Sequence, residues 1–256
     1  MYFEMLKNRF SQRVFANKER TVSVALDNAY ADMSRRQNGH IPELKECCID
    51  YLVEVFSTPL QTDDFDAWHK ALTDQLVARW NNEVTGFGTV GKAQKVINMA
   101  FKYIACISHD FDAVLPHCHM TLDSYTLEWY ENNVKPWLKA QHRNAGRKVS
   151  AWSKIESYDD YILIQHNIRD YLAAGVAYSI HIGSVCTSAI QLPTAPIDAE
   201  FIVWEGQIIV RKYSGLIKVL ENYVSENCDQ HGENGYDTWL IGTIFQEYLT
   251  EYINRF

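Results

Sequence analysis

The chain has 256 residues, 47% hydrophobic and 22% charged, with only 12 Gly and 6 Pro. That balance excludes wholesale disorder, collagen-like or low-complexity sequence, and an all-β protein with many tight turns. Thirty-two acids against 24 Lys and Arg leave a net charge of −8, which speaks against coating nucleic acid by bulk electrostatics.

The opening stretch MYFEMLKNRFSQRVF mixes charge with aromatics and does not read as a secretory signal. Residues 44–56 place Leu44, Cys48, Tyr51, Leu52, Val55 and Phe56 at helical steps. After Pro59, capping candidates in Thr62–Asp66 precede a stripe of Phe65, Trp68, Leu72, Leu76 and Trp80. A Gly-rich turn, VTGFGTVG, leads into a helix over 92–107 with Val96, Ile97, Ala100, Phe101 and Ile104 on its apolar stripe. Residues 108–121 lack a period, hold Pro116 and read as a loop. A helix then resumes with Asp123 near its start. From Lys135 to Lys154 the chain carries six Lys or Arg and no acid, which reads as a basic loop. Tyr158–Leu172 is helical; 173–196 suits either a loose helix or a pair of short strands. Helices are expected over 197–210, 216–224 and 237–256.

No internal repeat or linker divides the chain, so the expectation is a mainly α single domain spanning 1–256, or two interlocked helical lobes. No apolar run reaches the roughly 18 residues that begin to suggest a membrane span, so no membrane partner is expected. Six cysteines, adjacent at Cys47 and Cys48 and otherwise scattered without CxxC spacing, suit buried thiols in a cytoplasmic protein. Trp68, Trp80, Trp129 and Trp239 fall on apolar stripes and read as core.

The chemistry concentrates in 86–123. Unpaired amides at Gly88, Gly91 and the helix start, with Lys92 beside them, suit a phosphate. Lys92, Lys95 and Lys102 share roughly one helix face. Lys95, near other cations and between apolar neighbours, suits a neutral, nucleophilic amine. The alternative is that all three line a solvated face. Lys139, Arg143, Arg147 and Lys148 in the basic strip suit phosphate contacts, and Trp152 a contact with nucleic acid.

Three blocks, VGKAQKVINMAFKYIAC, VLPHCHMTLDSYTLEW and PIDAEFIVWEG, resemble the helix-hairpin-helix DNA glycosylase superfamily, most of all its archaeal 8-oxoguanine type. The resemblance spans about 60–205 and leaves 206–256 as additional C-terminal helices. It implies a helical glycosylase-like domain that binds DNA, with Lys95 the nucleophile toward the sugar C1′ and Asp123 the catalytic aspartate. Glu200 and Trp204 would form the pocket for an extruded base. No cofactor is implied. The activity expected is excision of a damaged purine such as 8-oxoguanine, with or without strand cleavage at the resulting abasic site.

Three further readings stand beside it. A non-enzymatic helical module would bind nucleic acid or protein on the same scaffold. Arg35 and His40 faintly resemble the R-x4-H of helical HEPN-type ribonucleases, which implies acid–base work beside a phosphate. His117-Cys118-His119, with Cys106 and His109, raises a zinc site, since HxH on an extended segment aims both rings the same way.

Overall fold

The computed structural model describes residues 2–35, 41–60, 62–182, 185–186 and 189–228, and it is mainly helical. In chain order the helices are α1 (Tyr2–Val14), α2 (Val22–Ser34), α3 (Pro42–Val55), α4 (Phe65–Glu83) and α5 (Val90–Ile104). Then come α6 (Ser124–Trp129), α7 (Lys135–Ala140), α8 (Tyr158–Ala173) and α9 (Pro196–Cys228). A small antiparallel hairpin, β1 (His181–Ile182) with β2 (Val185–Cys186), interrupts the helices, which resolves 173–196 in favour of short strands.

Local chemistry starts most helices where the residue types require. Asp64 accepts the Ala67 N–H at 2.9 Å, Thr89 that of Lys92 at 3.2 Å, and Ser157 that of Asp160 at 3.3 Å. Each satisfies an amide that the first helical turn leaves unpaired.

The expected solvated face on α5 does not exist. Every residue of α5 except Lys95 is buried, including Lys92, Gln94, Asn98 and Lys102. The helix is the axis of the fold, flanked by α2, α4, α8 and the short turn Trp152–Lys154. Leu26, Leu76, Trp80 and Ile168 of these flanking helices, and Phe101 of α5 itself, are all out of contact with water.

Other boundaries also move. The two helices expected over 197–210 and 216–224 are one, α9, because Gly215 weakens a helix by only about 1 kcal/mol and does not have to end it. The basic strip begins as helix α7, joined to α6 through a π turn at Tyr130–Val134. That wide turn sits just before Pro136, which has no N–H to donate to a regular α ladder. α1 and α2 were not foreseen at all, and both shape the site. Residues 237–256 with Trp239 lie outside the described residues. No described helix is long and apolar enough to cross a membrane.

Among the cysteines whose side chains are described, Cys48 and Cys118 are buried and Cys47 and Cys106 half-buried, all as free thiols. Burial pushes the Cys106 thiol up to about 11 and Cys48 and Cys118 well above the usual thiol range. A thiol held protonated is a poor nucleophile.

Candidate functional site

The three lysines of α5 have three different fates. Lys92 folds back onto the Gly-rich turn, its Nζ donating to the Phe87 carbonyl at 2.7 Å and lying 3.9 Å from the Phe87 ring centre. Burial lowers its pKa. Lys102 is buried outright and donates to Glu200 Oε1 at 2.8 Å, with side-chain exposures of 1% and 2%. Rings of Phe201, Phe10 and Trp204 surround its ammonium at 4.7, 4.9 and 5.4 Å. Lys95 alone of the three is not buried; its Nζ sits 4.3 Å over the Trp152 ring, at the edge of an opening.

That opening is a cleft of about 640 Å³ between α1, α2, α5, the start of α6 and α9. It brings together Lys95, Asp123, Glu200 and Trp204, which are separated by more than a hundred residues of chain, and adds Trp152.

Asp123 is held by an unusual support. The chain approaching it is extended, and buried side chains from three helices hold successive peptides. Gln165 accepts the Met120 N–H at 3.1 Å and donates to its carbonyl at 2.8 Å. Glu200 Oε2 accepts the Thr121 N–H at 2.7 Å. Gln94 accepts the Leu122 N–H at 3.1 Å and donates to its carbonyl at 2.9 Å. Asp123 then caps α6, with Oδ1 accepting from the amides of Tyr125 at 2.8 Å and Thr126 at 3.0 Å. Its Oδ2 takes no partner among the described residues.

Glu200 differs from its expected part as a reader of a base. Both of its oxygens are engaged, one by Lys102 and one by the Thr121 amide. Burial raises its pKa, opposed by Lys102 and the amide. Its work is to neutralise Lys102 and to locate the segment carrying Asp123. Trp204 meets Tyr125 edge-on at 5.7 Å and Phe10 at 6.3 Å, with the Arg13 guanidinium 4.9 Å over its ring.

The Gly-rich turn is also not a phosphate cradle here. The Gly88 N–H donates to Asn81 Oδ1 at 2.7 Å and the Gly91 N–H to the Ile155 carbonyl at 2.8 Å. Gly91 is needed for close approach, since a Cβ there would stand 1.8 Å from the Trp152 carbonyl oxygen. Its missing side chain is what lets Trp152 lie against Lys95. In the basic strip, Arg143 pairs with Asp170 and Arg147 with Asp160, while Lys139 and Lys148 are exposed. None of the four lines the cleft.

Residues that sequence reasoning missed include Phe10 and Arg13 of α1, and Asp32 of α2 with Tyr103. Tyr103 donates to Asp32, which also takes Arg35 at 2.6 Å. Leu6, Phe10 and Arg13 stand at helical spacing, the one signal that could have placed α1. Arg35 does line the cleft, but His40 lies outside the described residues, so the Arg35–His40 pairing has no structural account.

The His-rich segment is divided rather than convergent. His117 is exposed, whereas His119 is buried between Asp66 and Tyr161, each at 2.8 Å. No group of three metal-ligating side chains occurs among the described residues. Asp66 also accepts from His166 at 2.9 Å and from Arg169 at 2.7 and 2.8 Å. Burial would raise the Asp66 carboxyl, but these donors outweigh it and hold it well below the usual range. Burial lowers His119 to about 4 against the pull of Asp66, so the ring is neutral, with Nε2–H donated to the carboxylate and Nδ1 accepting from Tyr161. Through Tyr161, Asn98 and Gln94 this network continues to Leu122 and so to the base of Asp123.

No family model, characterised protein or solved structure matches this chain.

Proposed function

We propose that the chain is an enzyme that excises bases from nucleic acid through a lysine nucleophile. More narrowly, we propose a DNA glycosylase with abasic-site lyase activity toward a damaged purine such as 8-oxoguanine, on a helix-hairpin-helix-like scaffold. The observation that carries the reading is the cleft itself. Lys95, the one residue of α5 that is not buried, shares it with Asp123 and Trp204. Its volume of about 640 Å³ suits an extruded nucleotide.

The chemistry follows from those groups. The Lys95 amine, once deprotonated, forms a bond to C1′ as the bond from C1′ to the base breaks, and the base departs with the electron pair of that bond. Asp123 Oδ2 takes the proton released by the attacking amine, passes it to the departing base and opposes positive charge on the sugar. Opening of the C1′–O4′ bond, with O4′ taking a proton from water, gives an iminium. Loss of a C2′ proton then expels the 3′ phosphate. Trp204 and Trp152 offer faces for the extruded nucleotide.

The test is borohydride trapping on duplexes and single strands carrying 8-oxoguanine, uracil, hypoxanthine or an abasic site. A covalent adduct lost in Lys95→Gln is expected; no adduct on any substrate from folded protein overturns the proposal. Asp123→Ser keeps a capping oxygen and removes the charge, so it should melt near the wild type while trapping far more slowly. Asp123→Ala should in addition lose about 1 kcal/mol of stability. The engagement of both Glu200 oxygens by Lys102 and the Thr121 amide, which leaves neither for a base, favours a second reading, a scaffold that binds nucleic acid or protein without catalysis. That reading predicts binding with no adduct.

A further inference from the structure

The charges in the cleft do not cancel. Lys102 is matched by Glu200, and Arg35 by Asp32. Arg13 and Lys18 also line the cleft, and neither has a carboxylate partner among the described residues. Lys18 donates to the neutral Asn28 Oδ1 at 2.6 Å, and Arg13 lies over Trp204 and, at 5.8 Å, Phe10. On a chain of net charge −8, two exposed cations without counter-ions beside one cleft mark a place for an anion.

The geometry suits a phosphate. A guanidinium stacked on an aromatic ring uses its π face, and its N–H donors, which lie in its plane, remain free to form a fork around phosphate oxygens. Phe10 lies one helical turn before Arg13 on α1 and packs against Tyr103, Phe201 and Trp204. That packing ties the α1 face bearing Arg13 to the cleft. Lys18 follows α1 and is held toward α2 by Asn28, and both cations line the cleft that Trp152 also lines.

We propose that Arg13 and Lys18 are the phosphate-binding residues of the cleft and hold the phosphodiesters that flank the nucleotide inserted between Trp204 and Trp152. This rests on the function proposed above and deepens it. The grip on the strand comes from the N-terminal helix and the segment after it, not from the Gly-rich turn or the basic strip. Their side chains do not touch the reacting atoms; they are positioning residues.

The experiment measures binding of a labelled single-stranded oligonucleotide carrying a tetrahydrofuran abasic analogue, by fluorescence anisotropy over a range of salt, with borohydride trapping alongside on the same oligonucleotide carrying a natural abasic site. The proteins are the full chain, Arg13→Gln, Lys18→Gln and the double variant. Each single variant should reduce the slope of log K against log salt by about 0.7, and the double by about 1.4, as expected for one single-strand phosphate apiece. Trapping should slow at low oligonucleotide concentration and recover at saturation. Arg13→Lys keeps the charge but loses the fork and should recover the slope with weaker binding. It also guards against misreading a fold defect, which melting would show. Unchanged slopes in variants that melt normally, with trapping intact in the wild type, overturn this inference and leave the proposed activity standing. Wild-type binding without any adduct, but with slopes that fall as expected, overturns the activity and keeps the phosphate site. No wild-type binding at any salt overturns both.

Discussion

Replacing Lys102 with Met keeps the length of the side chain and deletes its charge. In the native fold the ammonium and the Glu200 carboxylate are 2.8 Å apart and almost wholly removed from water. The variant leaves a buried carboxylate whose remaining hydrogen-bond donor among the described residues is the Thr121 amide. Removing one partner of such a pair costs about 3–5 kcal/mol, out of a total stability of about 5–15 kcal/mol for a typical domain. The cost depends on pH. Burial already raises the Glu200 carboxyl above its ordinary 4.5, and without Lys102 it rises further. A carboxyl with a folded pKa above its unfolded value stabilises the fold below the unfolded value and loses that contribution as pH rises through the folded one. The deficit of Lys102→Met is therefore smallest in acid and grows as pH rises past the raised value that Glu200 already has in the native fold. Urea unfolding followed by tryptophan fluorescence at several pH values measures it. Lys102→Met with Glu200→Gln removes the orphaned charge while keeping an acceptor for Thr121, so the double variant should be more stable than Lys102→Met at neutral pH. A deficit below about 1 kcal/mol, or one that does not vary with pH, would refute the argument from burial.

Two further outcomes are expected. Gly91→Ala places a Cβ 1.8 Å from the Trp152 carbonyl and disturbs the bond from its amide to Ile155, so it should cost about 2–4 kcal/mol. Trapping should fall with it, because Trp152 must move off Lys95; a thermal melt matching the wild type would rule this out. Acid should weaken the fold before the carboxylates titrate. His119 and His69 are buried neutral, with folded pKa values about 4 and well below 6.5 respectively. Their contribution is present above 6.5 and is lost as pH falls through the folded values, at up to about 1.4 kcal/mol per pH unit for each ring. Asp66, held below its usual range, adds its loss only at lower pH. Unfolding free energy that stays flat between pH 7 and 5, within about 0.5 kcal/mol, would contradict the neutral, buried rings.

The helical character of this chain, most of its central boundaries, the capping of α4 and the place of Asp123 at the start of α6 were legible in the sequence. Periodicity and caps act over a few residues, and the residue types state them directly. Lys95 and Asp123 were also legible as residues of interest, from the motif blocks around them. The sequence could not say that Lys92 and Lys102 would be buried while Lys95 opens to a cleft, because three lysines at helical spacing look alike until the neighbours of each are known. It could not assign Glu200 to Lys102 and Thr121, or Gly91 to the Trp152 carbonyl, since those partners lie tens of residues away along the chain. Nor could it show that the Gly-rich amides are already satisfied, or that His117 and His119 face different surroundings. Local patterning decides which elements form. Which face of each is buried, and which charge is left without a partner, is decided by packing between distant segments, and that exists only in the tertiary structure.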